Sequence, residues 1–218
     1  MRVGRQRALT SVRGTTPWRA ARWCAVDLEL TGLDRRHDEI VAIGAVPVND
    51  GRIVLGEARY MLARPSRPPS PSAVLVHKLR APDLARAPSL QEAIAAVLEV
   101  LDGCVPVFHT AAVERHFLGA ALAERGLRLG PSADTEALGR WWLSRRDGRA
   151  PAGLSLAGLA RQLGQPAAAE HHALGDALTT AQAFIALAGR LDAAEVQTVG
   201  SLVRAGELLT GTRRFGPS

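Results

Sequence analysis

The segment WCAVDLELTGL, residues Trp23–Leu33, constrains the fold more than any other part of the chain. Its first four residues are apolar, as expected of a strand that is buried on both faces of a sheet. Because side chains alternate along a strand, Asp27 and Glu29 lie on the same face, one pleat apart. Their mutual repulsion predicts either a solvent-exposed polar side or a site where a cation neutralises both. At the end of a central strand, metal ions explain such carboxylates better than water does.

The pattern of apolar residues and turn signals around this strand predicts an α/β layered domain. A second strand is expected at 39–48, and the Asn-Asp-Gly turn at 49–51 should return the chain antiparallel over 52–62. The Pro-rich segment 64–72 is expected to be an irregular connector, and "CVPVF" a further short strand, with a bulge at Pro106. The expected helices are 89–102, 112–125, 134–146, 155–163, 175–190 and 193–209.

The bulk composition favours a folded domain with a polyanionic partner. Of 218 residues, 47% are hydrophobic and 22% are charged, and no apolar run is long enough to cross a membrane. The net charge is +6, and Lys78 is the only lysine among 27 basic residues. Arginine suits phosphate recognition, although a compositional bias explains the same excess. The two cysteines lie in apolar runs, which predicts buried reduced thiols and a cytoplasmic protein.

Three regions are expected along the chain. Residues 1–22 contain six arginines and no acid, which suggests a flexible basic arm, a misassigned start or a transit-like segment. Residues 23–192 should form the main domain. Residues 193–218 should form a C-terminal helix followed by a basic tail.

Two further acids stand where they could join Asp27 and Glu29. Glu114 begins the helix after "CVPVF", and Asp176 begins the helix with "GDALTTAQAF". Each alone is a common charge at a helix N-terminus, where it complements the helix dipole. His171 precedes Asp176 by five residues, but the adjacent His172 leaves the choice between the two histidines open.

Taken together, four carboxylates and one histidine fit a phosphodiester-cleaving site. Oxygen ligands suit two Mg²⁺ or Mn²⁺ ions, about 4 Å apart, that hold the attacking and leaving oxygens of an in-line displacement. A histidine titrates near neutral pH, so it can take the proton from the attacking water.

These motifs resemble the DEDD exonucleases of the proofreading, DnaQ-like type, in the subclass whose last motif carries histidine. That family has D-x-E-x-T-G-L in its first motif, matched by "DLELTGL" at 27–33, and H-x4-D-A in its third, matched by "HHALGDA". "DTEALGRWW" and "GLSLAGLARQLG" resemble the family's intervening helices. The resemblance covers about 23–190 and implies a ribonuclease-H-like fold, with a mixed five-stranded sheet flanked by helices.

The resemblance also implies roles for individual residues. It assigns metal binding to the acids Asp27, Glu29, Glu114 and Asp176, and the five-residue spacing selects His171 as the general base. The turn after the first motif and a histidine before the second would contact the terminal nucleotide: Thr31, Gly32, Leu33 and His77.

The second motif departs from the family pattern. The usual H-N-A-x-F-D is "HTAAVE" here, so Thr110 replaces Asn, Val113 replaces Phe and Glu114 replaces Asp. Glutamate keeps the charge but is one methylene longer. Because Mg²⁺ requires near-octahedral geometry, we expect lowered activity or a preference for Mn²⁺.

The resemblance implies metal-dependent 3′→5′ hydrolysis of single-stranded DNA or RNA ends, with release of nucleoside monophosphates. The altered second motif leaves a different class open, a module that binds nucleic-acid ends without turnover. A third alternative is a proofreading subunit that needs a DNA polymerase as its partner. A homodimer is also consistent with the resemblance, and no membrane association is expected.

Overall fold

In the computed structural model, residues 6–166 and 171–210 are described, with side chains up to residue 205. The strands are β1 (Arg7–Ala8), β2 (Trp23–Leu30), β3 (Ile40–Asn49), β4 (Arg52–Ile53), β5 (Arg59–Leu62), β6 (Val105–Phe108), β7 (Leu127–Arg128) and β8 (Ala133–Asp134). The helices are α1 (Pro71–His77), α2 (Ala81–Leu84), α3 (Leu90–Leu101), α4 (Ala112–Ala123), α5 (Thr135–Asp147), α6 (Leu156–Leu163), α7 (Ala173–Ala194) and α8 (Val199–Thr210).

The central sheet is mixed, as predicted. Its strand order is β4-β3-β2-β6-β8, and β5 pairs with β3 as well. Strand β2 is antiparallel to β3 and parallel to β6, which in turn is parallel to β8. Because β4 and β5 both pair with β3, on either side of the turn Leu55–Glu57, the six strands fill five positions across the sheet.

Strand β2 lies at the centre of this sheet and is covered on both faces. Trp23 and Ala25 pack into one core with α5, α6, α7 and α8, whereas Cys24 and Val26 pack into another with α3 and α4. All four side chains are buried, which confirms the expectation of a strand with two apolar faces. The face of Trp23 and Ala25, which lies under α7, continues to Asp27 and Glu29 at the end of the strand.

The hairpin after β3 has the predicted turn. Asp50 and Gly51 both have positive φ, 50° and 67°, as the tight two-residue hairpin turn requires. Asn49 pairs with Arg52 across it, so the chain returns antiparallel as expected.

The predicted helices are present, with differences at several ends. The connector expected to reach residue 72 ends earlier, because the Ser70 hydroxyl accepts a hydrogen bond from the Ala73 N–H and caps α1. Helix α8 begins at Val199 rather than 193, because Thr198 and Ser201 exchange hydrogen bonds between backbone and side chain that define a new N-terminus.

The expected bulge at Pro106 is absent. Pairing of β6 with β2 continues in register from Trp23–Val105 through Cys24–Pro106 to Ala25–Val107. The Val105 N–H donates to Arg22 in the loop before β2, so the next nitrogen along the strand, that of Pro106, faces the opposite side. There, pairing with β8 starts only at Val107, so the missing N–H costs no ladder hydrogen bond.

Residues 6–22, expected to belong to a flexible basic arm, are packed against the domain. Strand β1 pairs with β7, Leu9 is buried, and Trp18 is 1% exposed beside Phe184 of α7. Apolar anchors therefore hold this segment in spite of its arginines, and residues 1–5 of the predicted arm lie outside the described residues.

At the other end, Leu202 and Ala205 of α8 are fully buried in the core that contains Phe184, and the predicted basic tail from residue 211 lies outside the described residues. Within the described part of the chain, no helix is both long and apolar enough to span a membrane.

Candidate active site

Three carboxylates converge where β2 ends beneath the start of α7. Asp27 and Glu29 project from β2 on the face that α7 covers, and Asp176 lies in the first turn of α7. One oxygen of each side chain lies within 4.8 Å of an oxygen of both others, a spacing at which a divalent cation can be shared. The sequence prediction that these three acids meet is therefore realised in the fold.

A glycine in the neighbouring strand makes this close approach possible. Gly44 of β3 pairs with Asp27, and a Cβ atom at Gly44 would lie 2.1 Å from the carbonyl oxygen of Ala173. The start of α7 thus rests directly on the backbone of β3, at a distance that no other residue type at position 44 would permit. Asp176 reaches the β2 carboxylates because nothing separates helix from sheet there.

The protein environment of these acids disfavours their charged forms. Burial raises the pKa of Asp27 well above its ordinary value, and Asp176, Glu29 and Glu114 raise it further. Burial, followed by repulsion from Asp176, raises the pKa of Glu29 to about 7. The Oε1 atom of Glu29 is buried without a hydrogen-bond partner among the described residues. Clustered carboxylates with an unsatisfied buried oxygen fit divalent cations, whose charge and ligand requirement would complement both features.

Glu114 lies beside this group rather than within it. It occupies the first turn of α4, it is 8% exposed, and burial followed by repulsion from Asp134 raises its pKa to about 7. Its Oε2 atom has no hydrogen-bond partner among the described residues. Its carboxylate is nevertheless outside the 4.8 Å set formed by Asp27, Glu29 and Asp176. The fourth predicted metal ligand therefore flanks the cluster.

The loop that carries Glu114 is held by an acid from another element. The two carboxylate oxygens of Asp134 accept hydrogen bonds from the backbone N–H groups of Thr110 and Ala111, at 3.2 and 2.9 Å. Thr110 has a φ of 60°, a strained value for a β-branched residue, and its hydroxyl donates to Glu136. Asp134 thus fixes the start of α4, which has no side-chain cap of its own.

The two adjacent histidines make different contacts. His171 has a φ of 58°, and its N–H donates to Oδ2 of Asp176 at 2.9 Å. His172 caps α7, since its Nδ1 accepts from the Gly175 N–H, and its ring stacks on Tyr60 with centroids 4.6 Å apart. Only His171 lines the cavity that contains Asp27 and Asp176, in agreement with the choice made from the five-residue spacing.

That cavity, the polar cavity, has a volume of about 440 Å³ and opens on one side of the carboxylates. It is lined by Asp27, His109, Ser155, Leu156, Ala157, Arg161, His171 and Asp176. Sequence reasoning missed its contributions from His109 and Arg161. His109 follows β6 directly, which was a usable signal, and its ring contacts Thr135 and the Leu154 carbonyl, both at 2.9 Å. Arg161 lies within a helix, and the sequence around it carried no comparable signal.

A second cleft, the apolar cleft, opens on the other side of the carboxylates. Its volume is about 510 Å³, and its wall combines Glu29 and Glu114 with mostly apolar side chains. Three of the four residues predicted to contact the terminal nucleotide line it: Gly32, Leu33 and His77. Leu33 is 78% exposed beside this cleft.

Thr31, the fourth, does not line this cleft. Its N–H donates to Glu39, its carbonyl accepts from Ser70, and its hydroxyl bonds both Asp38 and the Glu39 N–H. Every polar group of Thr31 is therefore used inside the protein, and the residue braces the turn that carries Leu33. His77 is similar, since its Nδ1 accepts from Leu79 and its Nε2 donates to Leu30, which leaves the ring edge for the cleft.

This fold and site define a nuclease of the exonuclease class. The RNase_T family model, described as "Exonuclease", matches residues 24–184, and the chain belongs to that family. The resemblance to DnaQ-like exonucleases is confirmed.

Among curated relatives, a DNA polymerase III subunit epsilon-like protein of Rhodobacter capsulatus is 34% identical over 94% of this chain but only 28% of its own length. A PolC-type DNA polymerase III of Thermotoga petrophila is 33% identical over 76% of this chain and 12% of its own length. The chain thus spans less than a third of the first of these relatives and about an eighth of the second.

Solved structures share the fold at low sequence identity. Exonuclease X in complex with a 5′-overhanging duplex DNA has a TM-score of 0.59 and 24% identity, covering 84% of this chain and 99% of its own. Escherichia coli exonuclease I in complex with a dT13 oligonucleotide has a TM-score of 0.64 and 14% identity, covering 80% of this chain and 42% of its own. These matches agree with the predicted ribonuclease-H-like sheet and its flanking helices.

Proposed function

We propose that this chain is a metal-dependent 3′→5′ exonuclease that removes nucleoside monophosphates from single-stranded DNA or RNA ends. The observation that carries the proposal is the convergence of Asp27, Glu29 and Asp176 within 4.8 Å, between a polar cavity and an apolar cleft. Carboxylates in such a cluster need compensating cations, and the two flanking spaces suit a phosphate and a nucleoside. Membership of the exonuclease family supports the same reaction class.

The chain's own residues account for orientation and proton transfer. Leu33 and the His77 ring edge give the terminal nucleoside an apolar surface, which directs its phosphate toward the carboxylates. His171 accepts a proton from the attacking water as the water oxygen bonds to phosphorus. The P–O3′ bond breaks, the O3′ oxygen takes a proton from solvent, and the products are a nucleoside 5′-monophosphate and a chain one nucleotide shorter.

The metal site would be formed by Asp27, Glu29 and Asp176, with Glu114 as a flanking ligand. Bound Mg²⁺ or Mn²⁺ would neutralise charge on the phosphate and lower the pKa of the attacking water. The residues around the ligands prepare the site, since Gly44 sets the position of Asp176 and Asp134 sets the position of Glu114.

The direct test is release of mononucleotides from an oligonucleotide labelled at its 3′ end, with Mg²⁺ or Mn²⁺. We expect the label to appear as a mononucleotide at once, and Asp27→Asn to lower the rate by at least about 10²–10³-fold, as loss of a charge-stabilising group does. Asp102→Asn, on the surface, serves as the matched control. Immediate release of a 5′ label as a mononucleotide would contradict the proposed direction. Equal activity of Asp27→Asn would contradict the proposed site.

One observation favours the alternative of a binding module without turnover. Glu114 stands outside the group of three carboxylates, and the second motif is the one that departs from the family pattern. Binding of a labelled oligonucleotide with no release in either metal would support this alternative over the enzyme.

Partners and location are further proposals. Relatives named for DNA polymerase III support association with a DNA polymerase, and two buried free cysteines are compatible with a reducing cytoplasm. The structural neighbours include proteins in complex with DNA and a histone mRNA 3′-exonuclease, so both nucleic acids belong in the assay. A homodimer stays a prediction, to be tested by light scattering.

A further inference from the structure

An arginine lines the polar cavity together with two acids of the carboxylate cluster. Asp27, His171 and Asp176 line one part of this cavity, and the first turn of α6 with Arg161 lines another. Arg161 is the only lysine or arginine among the described residues that line it. The cavity is therefore lined by both carboxylates and one guanidinium group.

The side chain of Arg161 is directed toward the N-terminus of its own helix. Its Nη2 atom lies 3.9 Å from the point where a Cβ on Gly158 would sit, one turn earlier in α6. That turn begins at Ser155, whose hydroxyl caps the helix, and it lines the same cavity. The Arg161 side chain thus extends along the capped first turn of α6, which lines the cavity.

Arg161 makes no ion pair or side-chain hydrogen bond with any other described residue. Other arginines of the domain are engaged: Arg7 pairs with Asp102, Arg80 with Asp83 and Arg146 with Asp147. An arginine close to a carboxylate cluster would ordinarily form such a pair. Among the described residues, its five N–H donors therefore stay available in the cavity that Asp27 and Asp176 also line.

We propose that Arg161 binds a non-bridging oxygen of the scissile phosphate, and of the 5′-phosphate in the released mononucleotide. This inference rests on the proposed function and adds a phosphate-recognition residue to it. The apolar cleft receives the nucleoside, so its 5′-phosphate reaches the carboxylates from that side and meets the polar cavity beyond them. Arg161 then supplies positive charge in the cavity that Asp27, Asp176 and His171 also line, where it orients the phosphate for attack from the side of His171.

The test compares binding of thymidine 5′-monophosphate with binding of thymidine, which lacks the phosphate, by isothermal titration in Mn²⁺. We expect Arg161→Gln to weaken the monophosphate by roughly 10–100-fold, the range for a charge-assisted hydrogen bond, and to leave thymidine unchanged. Arg161→Lys should retain part of the affinity. Arg86→Gln removes the same charge from an exposed loop that lines neither cleft, and should bind both compounds as the unmodified protein does.

Three outcomes would overturn the inference. The first is that Arg161→Gln binds the monophosphate within twofold of the unmodified protein. The second is that Arg161→Gln loses as much affinity for thymidine as for the monophosphate. The third is that the unmodified protein does not bind the monophosphate. A melting temperature equal to that of the unmodified protein shows that the variant is folded. If the unmodified protein releases no mononucleotide but its monophosphate binding depends on Arg161, the exonuclease proposal fails and the phosphate site stands. If the unmodified protein releases mononucleotides and Arg161→Gln binds the monophosphate normally, the phosphate site fails and the exonuclease proposal stands.

Discussion

The two spaces on either side of the carboxylates differ in chemistry although they share the same strand end. The polar cavity contains His109, His171 and Arg161 together with Asp27 and Asp176, whereas the apolar cleft is lined mainly by aliphatic side chains around Glu29 and Glu114. The difference arises from the elements that flank β2. Helices α6 and α7 contribute residues of their first turns to the polar cavity, and α1 contributes Ser72, Ala73, Val76 and His77 to the apolar cleft.

This comparison suggests a division of labour in which the polar cavity carries the reaction and the apolar cleft binds the nucleoside. Changes in the cavity should then lower kcat, and changes in the cleft should raise KM, since lost uniform binding affects KM alone. The following experiments test that division, from the largest expected effect to the smallest.

Replacing the general base should have the largest effect. His171→Gln is expected to lower kcat by about 10²–10⁴-fold with little change in KM, because proton transfer contributes in that range. His172→Asn is the matched control, since asparagine also caps helices well, and it should retain most of the activity. Comparable losses in both variants, measured as mononucleotide release, would remove the distinction between the two histidines.

Restoring aspartate in the second motif should have a smaller effect and should depend on the metal. Glu114→Asp is expected to raise the Mg²⁺ rate on the order of tenfold relative to the Mn²⁺ rate, because Mg²⁺ tolerates little deviation in ligand geometry. Glu99→Asp on α3 shortens an exposed acid elsewhere and should leave the ratio unchanged. An unchanged or reduced Mg²⁺ rate in Glu114→Asp would count against the geometric argument.

On the apolar side, Leu33→Ala should raise KM about fivefold at constant kcat. Losing part of one leucine's contact with a base corresponds to roughly 1 kcal/mol. Leu55→Ala, at another exposed leucine, should have no effect. A fall in kcat without a change in KM would show that the cleft takes part in the reaction as well as in binding.

A separate effect should appear in stability rather than in rate. The pKa values of Glu29 and Glu114 are both raised to about 7, so the stabilisation given by their protonated forms is present at low pH and lost as pH rises through about 7. The metal-free protein should therefore melt several degrees lower at pH 8 than at pH 5.

Saturating Mn²⁺ at pH 8 should reverse this loss. Binding at 100 times the dissociation constant adds about 2.7 kcal/mol, or roughly 5–10 °C for a chain of this size. Differential scanning fluorimetry at both pH values, with and without EDTA, measures the two shifts. A melting temperature that rises with pH in EDTA would contradict the raised pKa values.

Local sequence patterns were sufficient to predict the carboxylate cluster and most of the sheet. Strand alternation placed Asp27 and Glu29 together, and helix-start signals placed Asp176 in a first turn. The same local reasoning failed where an outcome depended on which neighbour an atom faces. Pro106 costs no hydrogen bond, because its nitrogen faces the side where pairing with β8 starts only at Val107. The polar groups of Thr31 bond three residues from two other segments, Asp38 and Glu39 in one and Ser70 in the other.

The remaining site residues depend on tertiary proximity. Arg161 reaches the cavity because α6 packs against α7, and no spacing within the sequence encodes that contact. The expected flexible arm was a similar case, because the charge of its arginines concealed the buried Leu9 and Trp18. Composition predicted solvent exposure, whereas a few apolar residues decided where the segment lies.

The spacing of the carboxylates depends on the absence of a side chain at Gly44. Asp27 and Asp176 are separated by 149 positions, yet their separation in space is set by a residue that touches no substrate and carries no charge. Even an added methyl group there would push α7 away from the sheet and pull the carboxylates apart, and displacements of about 1 Å at a reacting centre can cost 10²-fold in rate. A search for inactivated relatives should therefore examine this position as carefully as the acids themselves.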